Sequence, residues 1–590
     1  MAIHPDEQRI ETDVLVVGGG LAGCFAAMKA AEDGVRVTLV EKAHVAHCGS
    51  NTTGIDHYPY CYIPEVHGKL GYTIEDFVKN HTIVGSGLVD QELCKMMWQD
   101  SYDRLLDLEK IGIKIRFEKI YPWNFGFEPG EYRQKPKFRI VPWPGFKVPC
   151  VVSIEGRYIK AMLYKRLSQL GVHLLHFCDV QELVKQNGSV VGALGLTTRT
   201  GEFLVLEAKA TVLATGFLSR LFPQTAMFNH LVPPNETGEG QTMAFHAGAE
   251  LAVMEQYPRY GQRVILGAAR LENWIRSSPA TPSGYPAGRI VNSAGEVMPS
   301  NNRDFDQSFN DELYRKQADW VRTSIRQGKT PFYWDATLAT EEERAYANWS
   351  SAEEGGGVEL YRHLEEDLKA DLATHQIQLA KPRVYEPGQS MGFILTSPGG
   401  ILINTRCETS VPGLFAAGEN AYGEHFPSSP WAIVTGSRAG RSAGAYARGA
   451  TVMIRGDLIK EGRERILRPF AVKDGLTWQE LNRGINNLIE NYFIGASVNA
   501  RRIGLEQVEA LKREQVQAAN PHEWMRAMET LSLLTVAEIF LRASLFPRKP
   551  DEWRILKKVD GEMKFMTRPI QQKYPVSLPE VSREQKIAKG

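Results

Sequence analysis

Three observations predict an α/β fold with a Rossmann-like dinucleotide-binding domain, an inserted α+β capping domain and a C-terminal helical domain. An apolar run near the start of the 590-residue chain stops at a cluster of glycines and continues at helical spacing. Two further apolar runs, beginning near Ala210 and Val411, also stop at glycine, and from about Glu461 apolar residues recur every three or four positions. A chain of this length exceeds a single core, so several packed units are expected.

The first element is Asp13-Val14-Leu15-Val16-Val17, short and β-branched, followed by Gly18-Gly19-Gly20-Leu21-Ala22-Gly23 and the helical stretch Cys24 to Ala31. Gly18 permits the tight turn, Gly20 lets a pyrophosphate approach the backbone at the helix N-terminus, and Gly23 lets helix and strand pack closely. A second strand, Val35 to Val40, ends at Glu41, where an acid can accept hydrogen bonds from an adenosine ribose. A carboxylate there repels a 2′-phosphate, which disfavours NADP. Two later strands, Ala210-Thr211-Val212-Leu213-Ala214-Thr215-Gly216 and Val411 to Gly418-Glu419-Asn420, end in small residues that let the chain pass close to an extended ligand.

With these three motifs in this order, the chain resembles the fumarate reductase and succinate dehydrogenase flavoprotein family. The resemblance implies FAD. The first motif would hold its ADP portion, Ala214-Thr215-Gly216 would pass near the adenosine, and Glu419, with Gly418, would lie by the ribityl chain. It also implies that Lys42 and the stretch Ser50-Asn51-Thr52-Thr53-Gly54 wrap the cofactor, with Val180 against the adenine. His47 lies near where relatives attach FAD through histidine, but Cys48-Gly49-Ser50 departs from their pattern, so non-covalent FAD is expected.

The FAD-binding domain is expected in two parts, residues 1–252 and 382–450, around a capping domain at 253–381, with a helical domain at 451–548 and a polar, Pro-interrupted tail at 549–590 suited to surface docking. The cap follows Asn235-Glu236-Thr237-Gly238-Glu239-Gly240, which is similar to the family's turn at a helix start, and contains a charged segment, Glu341 to Arg344, that reads as a solvated helix. Leu481, Ile485, Leu488 and Ile489 mark one later helix, and Arg501-Arg502 begins another.

Composition narrows the function. The 69 basic and 69 acidic residues cancel, leaving no electrostatic case for nucleic acid. No apolar run reaches bilayer length, and the start at Met1 has neither a basic segment nor an apolar stretch, so a cytoplasmic protein without direct membrane insertion is expected. The seven cysteines are scattered without a C-x-x-C pair, so no metal site is expected in the chain, and an iron–sulfur (ferredoxin-like) partner subunit would carry any cluster.

The substrate side departs from the dicarboxylate enzymes of the family. Leu395 to Gly400 lacks their histidine, Gly284 to Asn292 offers Arg289 only approximately where they show an arginine among glycines, and the loop Ala421 to Trp431 lacks their arginine. That loop, with His425 and Ser428-Ser429, and the stretches Ala537 to Phe546, Trp553 and Gly561-Glu562-Met563 are more similar to the adenylylsulfate reductase α subunits. The resemblance implies an FAD-dependent oxidoreductase acting on a small anionic substrate and exchanging electrons with an iron–sulfur partner. The alternatives are a reductase of an unsaturated acid and an electron-relay subunit without its own substrate. Arg259, Arg289, His425 and Trp431 are the candidate catalytic residues, with Asn51, His57, Tyr58 and Tyr60 near the expected flavin face; a guanidinium would hold a carboxylate or sulfonate, and Trp431 would stack on a ring.

Overall fold

A computed structural model describes residues 7–85, 87–118, 138–141, 150–222, 235–256, 289–299, 319–320, 322–339, 341–354, 359–362, 365–366, 377–379, 399–423, 428–494, 496–549 and 551–577. The glycine motif joins strand β1 (Glu7–Val17) to helix α1 (Leu21–Glu32), and β2 (Val37–Glu41) returns parallel to β1. The same sheet is extended by β3 (His173–His176) beyond β2 and by a meander, β4 (Cys178–Gln186), β5 (Ser189–Thr197) and β6 (Phe203–Leu213), on the other side. Its order is β3-β2-β1-β6-β5-β4. Strand β6 pairs with β1 along one edge and is long enough to serve two neighbours on the other, pairing with β5 over Phe203–Glu207 and in parallel with the later strand Leu414–Ala416 over Thr211–Leu213. Val14, Leu15, Val16, Leu39, Leu204, Leu206 and Val212 are buried along these strands, as near-continuous apolar runs require when a sheet is covered on both faces.

Helix α2 (Glu239–Ala247) follows the Thr237-Gly238 turn, and the covering helix α3 (Ser429–Arg448) crosses α1 at very short range. A Cβ on Gly436 would sit 2.3 Å from Ala22 O, and one on Gly440 would sit 2.1 Å from Ala26 O. Those glycines are one helical turn apart, so a groove without side chains runs along α3 and admits the α1 backbone.

The cap contributes a three-stranded antiparallel sheet, Arg289–Asn292, Phe332–Asp335 and Ile377–Leu379, and the helix Glu341–Glu354. That helix is not solvated all round. Tyr346, Ala347, Ser350 and Ser351 are buried along one face against the FAD-binding domain, so its charged start conceals an amphipathic element.

Helices Gly456–Ala471, Trp478–Tyr492, Val498–Leu511 and α4 (Pro521–Leu545) form the C-terminal bundle. Thr477 and Glu480 close a reciprocal capping box, and Leu481, Ile485, Leu488 and Ile489 pack as one buried stripe. The region after Lys549 differs from a docking tail. Glu552–Val559 and Glu562–Pro569 form a hairpin whose first strand pairs with Leu251–Ala252, and Trp553, Ile555 and Leu556 are buried. Asp560 and Gly561 both take positive φ in its two-residue turn, an Asp-Gly signal that outweighs the polar average of the segment.

Candidate active site

The glycine loop is built by exclusion. Gly18 has φ +100°, and a Cβ there would lie 2.3 Å from Ala214 O; a Cβ on Gly23 would lie 1.8 Å from Gly18 O. Around Gly20, by contrast, a Cβ would meet nothing within 4 Å, and no side chain caps α1. An uncapped helix start facing open space is a cradle for a phosphate. Glu41 closes its side: Oε2 accepts from Gly19 N at 2.7 Å and Oε1 from Ala43 N at 2.8 Å, and each oxygen keeps a lone pair for a ribose hydroxyl. Val180 is buried at the start of β4, beside a bulge in its pairing with β5.

Two distant segments complete the cradle, joined by a residue that sequence reasoning passes over. Asn420 Oδ1 accepts from Thr215 N at 2.7 Å, and Asn420 Nδ2 donates to Gly216 O at 2.8 Å. Its amide therefore ties Ala214-Thr215-Gly216 to Gly418-Glu419 as a backbone ladder would. Gly418, at φ +63°, donates its N–H to Thr435 Oγ1 at 2.9 Å and accepts from Trp431 Nε1 at 3.0 Å. Trp431 is thus buried beneath Gly418 as a brace, its indole N–H already spent. Beside Glu419 lies Glu236, which accepts from Ser50 Oγ and from Phe217 N, both at 3.0 Å. Burial pushes the Glu236 carboxyl up to about 7, and burial together with Glu236 pushes Glu419 well above the ordinary carboxylate range, so the two share a proton.

Lys42 faces the other way. Its ammonium donates to Asn235 O at 2.6 Å, Glu239 Oε1 at 2.7 Å and Glu529 Oε1 at 2.9 Å, which leaves only its stem and backbone for a cofactor. The loop Ser50 to Gly54 runs from the glycine turn to the cap. A Cβ on Gly49 would sit 2.9 Å from Gly20 Cα, and one on Gly54, at φ +96°, would sit 2.0 Å from Glu353 O of the cap helix. Asn51, Thr52 and Thr53 form the turn between, closed by Gly54 N to Asn51 O. The same junction holds Arg157 N on Glu353 Oε2 at 3.0 Å and buried Asp56, which accepts from Ser350 Oγ of the cap and pairs with His57. Tyr58 and Tyr60 point into the core instead, Tyr58 donating to Ser101 O at 3.1 Å. His47 is exposed beside His44, with ring centroids 5.7 Å apart. Arg259 and His425 lie outside the described residues; Arg289 opens a cap strand in register with Asp335, and its side chain is likewise outside them.

Residues 13–278 match the FAD binding domain family. A fumarate reductase (CoM/CoB) subunit of Methanothermobacter marburgensis is 25% identical over 501 residues, covering 80% of this chain and 81% of that one. L-aspartate oxidase of Mycobacterium bovis is 24% identical over 495 residues, covering 81% and 80%. The protein is an FAD-dependent oxidoreductase related to the fumarate reductase flavoproteins. Among solved structures, the flavoprotein shares its fold with adenylylsulfate reductase from Archaeoglobus fulgidus, at TM-score 0.73 and 20% identity over 98% of both chains. It shares it equally with E. coli quinol fumarate reductase FrdA, at TM-score 0.72 and 17% identity over 97% of this chain and 98% of that one.

The residues present fit FAD: the open face at Gly20 suits a pyrophosphate and Glu41 suits the ribose. Asn420 and Glu236 are positions in this region that motif reading does not single out. Asn420 had a signal, its place directly after Gly418-Glu419, whereas Glu236 is apparent only once Ser50 and Phe217 meet on it.

Proposed function

We propose that the flavoprotein moves electrons between a small anionic substrate and an iron–sulfur partner subunit, in the manner of an adenylylsulfate reductase α subunit, with FAD held non-covalently. The observation that supports this reading is the loop Gly49 to Gly54, packed on Gly20 at one end and on the cap helix at the other, which ties the glycine turn to the cap. When bound, FAD supplies a two-electron redox centre.

The chain's own groups do the rest. The start of α1 and Gly20 hold the pyrophosphate, and Glu41 holds the ribose. Trp431 and Thr435 fix Gly418, so that Glu419 keeps its place by the ribityl chain. The Glu236–Glu419 pair stores one proton beside that chain. Closure of the cap through Ser350 on Asp56 excludes water from the reacting face. Arg259 or Arg289 grips the anion by charge-assisted hydrogen bonds, and His425 is the candidate proton carrier.

All seven cysteines are buried, and among the described residues no group of three or more His, Cys, Asp or Glu side chains is placed to hold a metal. No helix among the described residues is long and apolar enough to cross a membrane. The relationship to a fumarate reductase subunit favours a second reading, reduction of an unsaturated acid.

The test is purification from the native source followed by anaerobic titration. The expected protein is yellow, releases its flavin on acid precipitation, co-elutes with an iron–sulfur protein and, once reduced, is reoxidised by adenylyl sulfate. Reoxidation by fumarate would select the second reading. A flavin that cycles with the partner and with no small anion would leave only an electron relay.

A further inference from the structure

Behind the glycine loop, three side chains from separate parts of the chain converge on one backbone oxygen. Lys160 Nζ donates to Gly19 O, and Cys24 Sγ and Cys48 Sγ approach the same oxygen at 3.2 and 3.1 Å. Lys160 Nζ also meets Cys24 Sγ at 3.3 Å. On the other side of the residue, Gly19 N is held by Glu41 Oε2 at 2.7 Å. Both polar groups of Gly19 are therefore fixed from the protein interior.

That arrangement sets the direction of the next N–H. In a trans peptide the C=O and N–H point to opposite sides. With Gly19 O pulled inward, Gly20 N–H turns outward, and a Cβ on Gly20 itself would meet nothing within 4 Å.

Lys160 is expensive where it stands. It is only 3% exposed, and burying an ammonium is costly unless it is well compensated. It is also the second residue of the helix Ile159–Gln169, the end at which the helix dipole disfavours a cation. Burial pulls its pKa down, but Cys24, Cys48 and Glu41 outweigh that and leave it raised, so it stays charged. Burial pushes both thiols up, and Lys160 pulls them part of the way back down. A phosphate anion on the far side of the Gly19–Gly20 peptide would offset this cost.

We propose that Lys160 is a positioning residue for the pyrophosphate of FAD: by holding Gly19 O it aims the Gly20 N–H at a phosphate oxygen and places a positive charge behind the loop. The proposal rests on the assignment of Gly18 to Gly23 as the pyrophosphate site. Cys48 extends the same anchor to the loop that wraps the cofactor, since its thiol joins the 48–54 segment to Gly19.

The test compares ligands with and without the phosphates on flavin-stripped protein, using calorimetry for ADP and adenosine and fluorescence quenching for FAD. Lys160→Met is expected to weaken FAD and ADP by about 10- to 100-fold, the loss of one charge-assisted hydrogen bond, and to leave adenosine within about 2-fold. Lys160→Gln, which still donates to Gly19 O without the charge, is expected to recover part of the loss. The phosphorus NMR signals of bound FAD should shift in both variants. Equal losses for adenosine and ADP, or no loss for either, would overturn the proposal. If Lys160→Met does not fold, the ADP-to-adenosine ratio of Lys160→Gln against wild type decides the same question. Wild-type protein that takes up FAD and adenosine but gains nothing from the phosphates of ADP would overturn the pyrophosphate assignment itself.

Discussion

Glu41 and Lys42 are neighbours at the end of β2, yet they serve regions built on opposite physical principles. Glu41 faces the glycine loop, where the shape comes from missing side chains and from backbone groups held at fixed angles. Lys42 faces a buried ionic knot with Glu239, Glu529, Arg220 and Arg526, drawn from α2, α4 and the turn at Ser219 to Leu221. Arg220 Nη1 and Arg526 Nη1 reach Glu529 Oε2 at 2.8 and 2.9 Å, so one carboxylate serves three cations. The loop has almost no freedom to change at Gly18 and Gly23, where an added Cβ meets backbone. In the knot, each buried charge depends on a partner of opposite sign within about 3 Å. The first region is intolerant of volume and the second is intolerant of charge.

The largest expected effect tests the knot. Glu529→Leu keeps the volume and removes the carboxylate that Lys42, Arg220 and Arg526 share, and should cost about 3–5 kcal/mol, measured as a drop in chemical or thermal unfolding midpoint. An unchanged midpoint would mean that the knot is not charge-limited. Next comes the loop: Gly23→Ala places a methyl against Gly18 O and should cost about 1–3 kcal/mol and strip the yellow colour from the purified protein. Retention of flavin at the wild-type ratio would refute the close packing of α1 on β1.

The pH dependence sharpens the contrast with a smaller effect. Burial opposes ionisation of Glu529, but Lys42, Arg220 and Arg526 hold its carboxyl at about 2, below the ordinary 4.5. Its contribution is therefore complete above about pH 4.5 and lost as pH falls toward 2. Glu236 runs the other way: it keeps its proton up to about 7 where the unfolded chain has lost it, so stability falls as pH rises from about 4.5 to about 7. Glu236→Gln should flatten that second slope and leave the acid limb alone, which a series of unfolding midpoints across pH would show. The smallest effect belongs to an exposed ion pair: Arg465→Ala, opposite Glu182, should change stability by no more than about 1 kcal/mol. A larger loss would show that surface and buried charges do not differ in this protein as the knot implies.

Particular residues show why one region is legible in sequence and the other is not. Gly18, Gly20, Gly23 and Glu41 lie within a single strand-turn-helix-strand unit, where spacing alone carries the geometry. Lys42 adjoins that unit in sequence and Trp431 follows Gly418-Glu419, which makes both look like ligand contacts, but their polar atoms are engaged by Glu529, 487 positions from Lys42, and by Gly418 O. Tyr58 and Tyr60 turn into the core for the same reason: a residue's neighbours in the chain do not say which way its side chain points. The hairpin at Glu552–Pro569 is hidden by polar composition, although its Asp-Gly turn and the alternation of Trp553 and Ile555 are present.

From the order of residues alone came the βαβ unit, its dinucleotide chemistry and the two later strands, because glycine spacing and apolar runs act through steric limits that span a few residues. Only the tertiary structure decided that Asn420 would stitch two of those strands together, that Glu236 would share a proton with Glu419, and that Lys160 would stand behind Gly19. Hydrogen bonds and ion pairs act over about 3 Å, and nothing in a linear chain says which of its distant groups the fold will bring within that range.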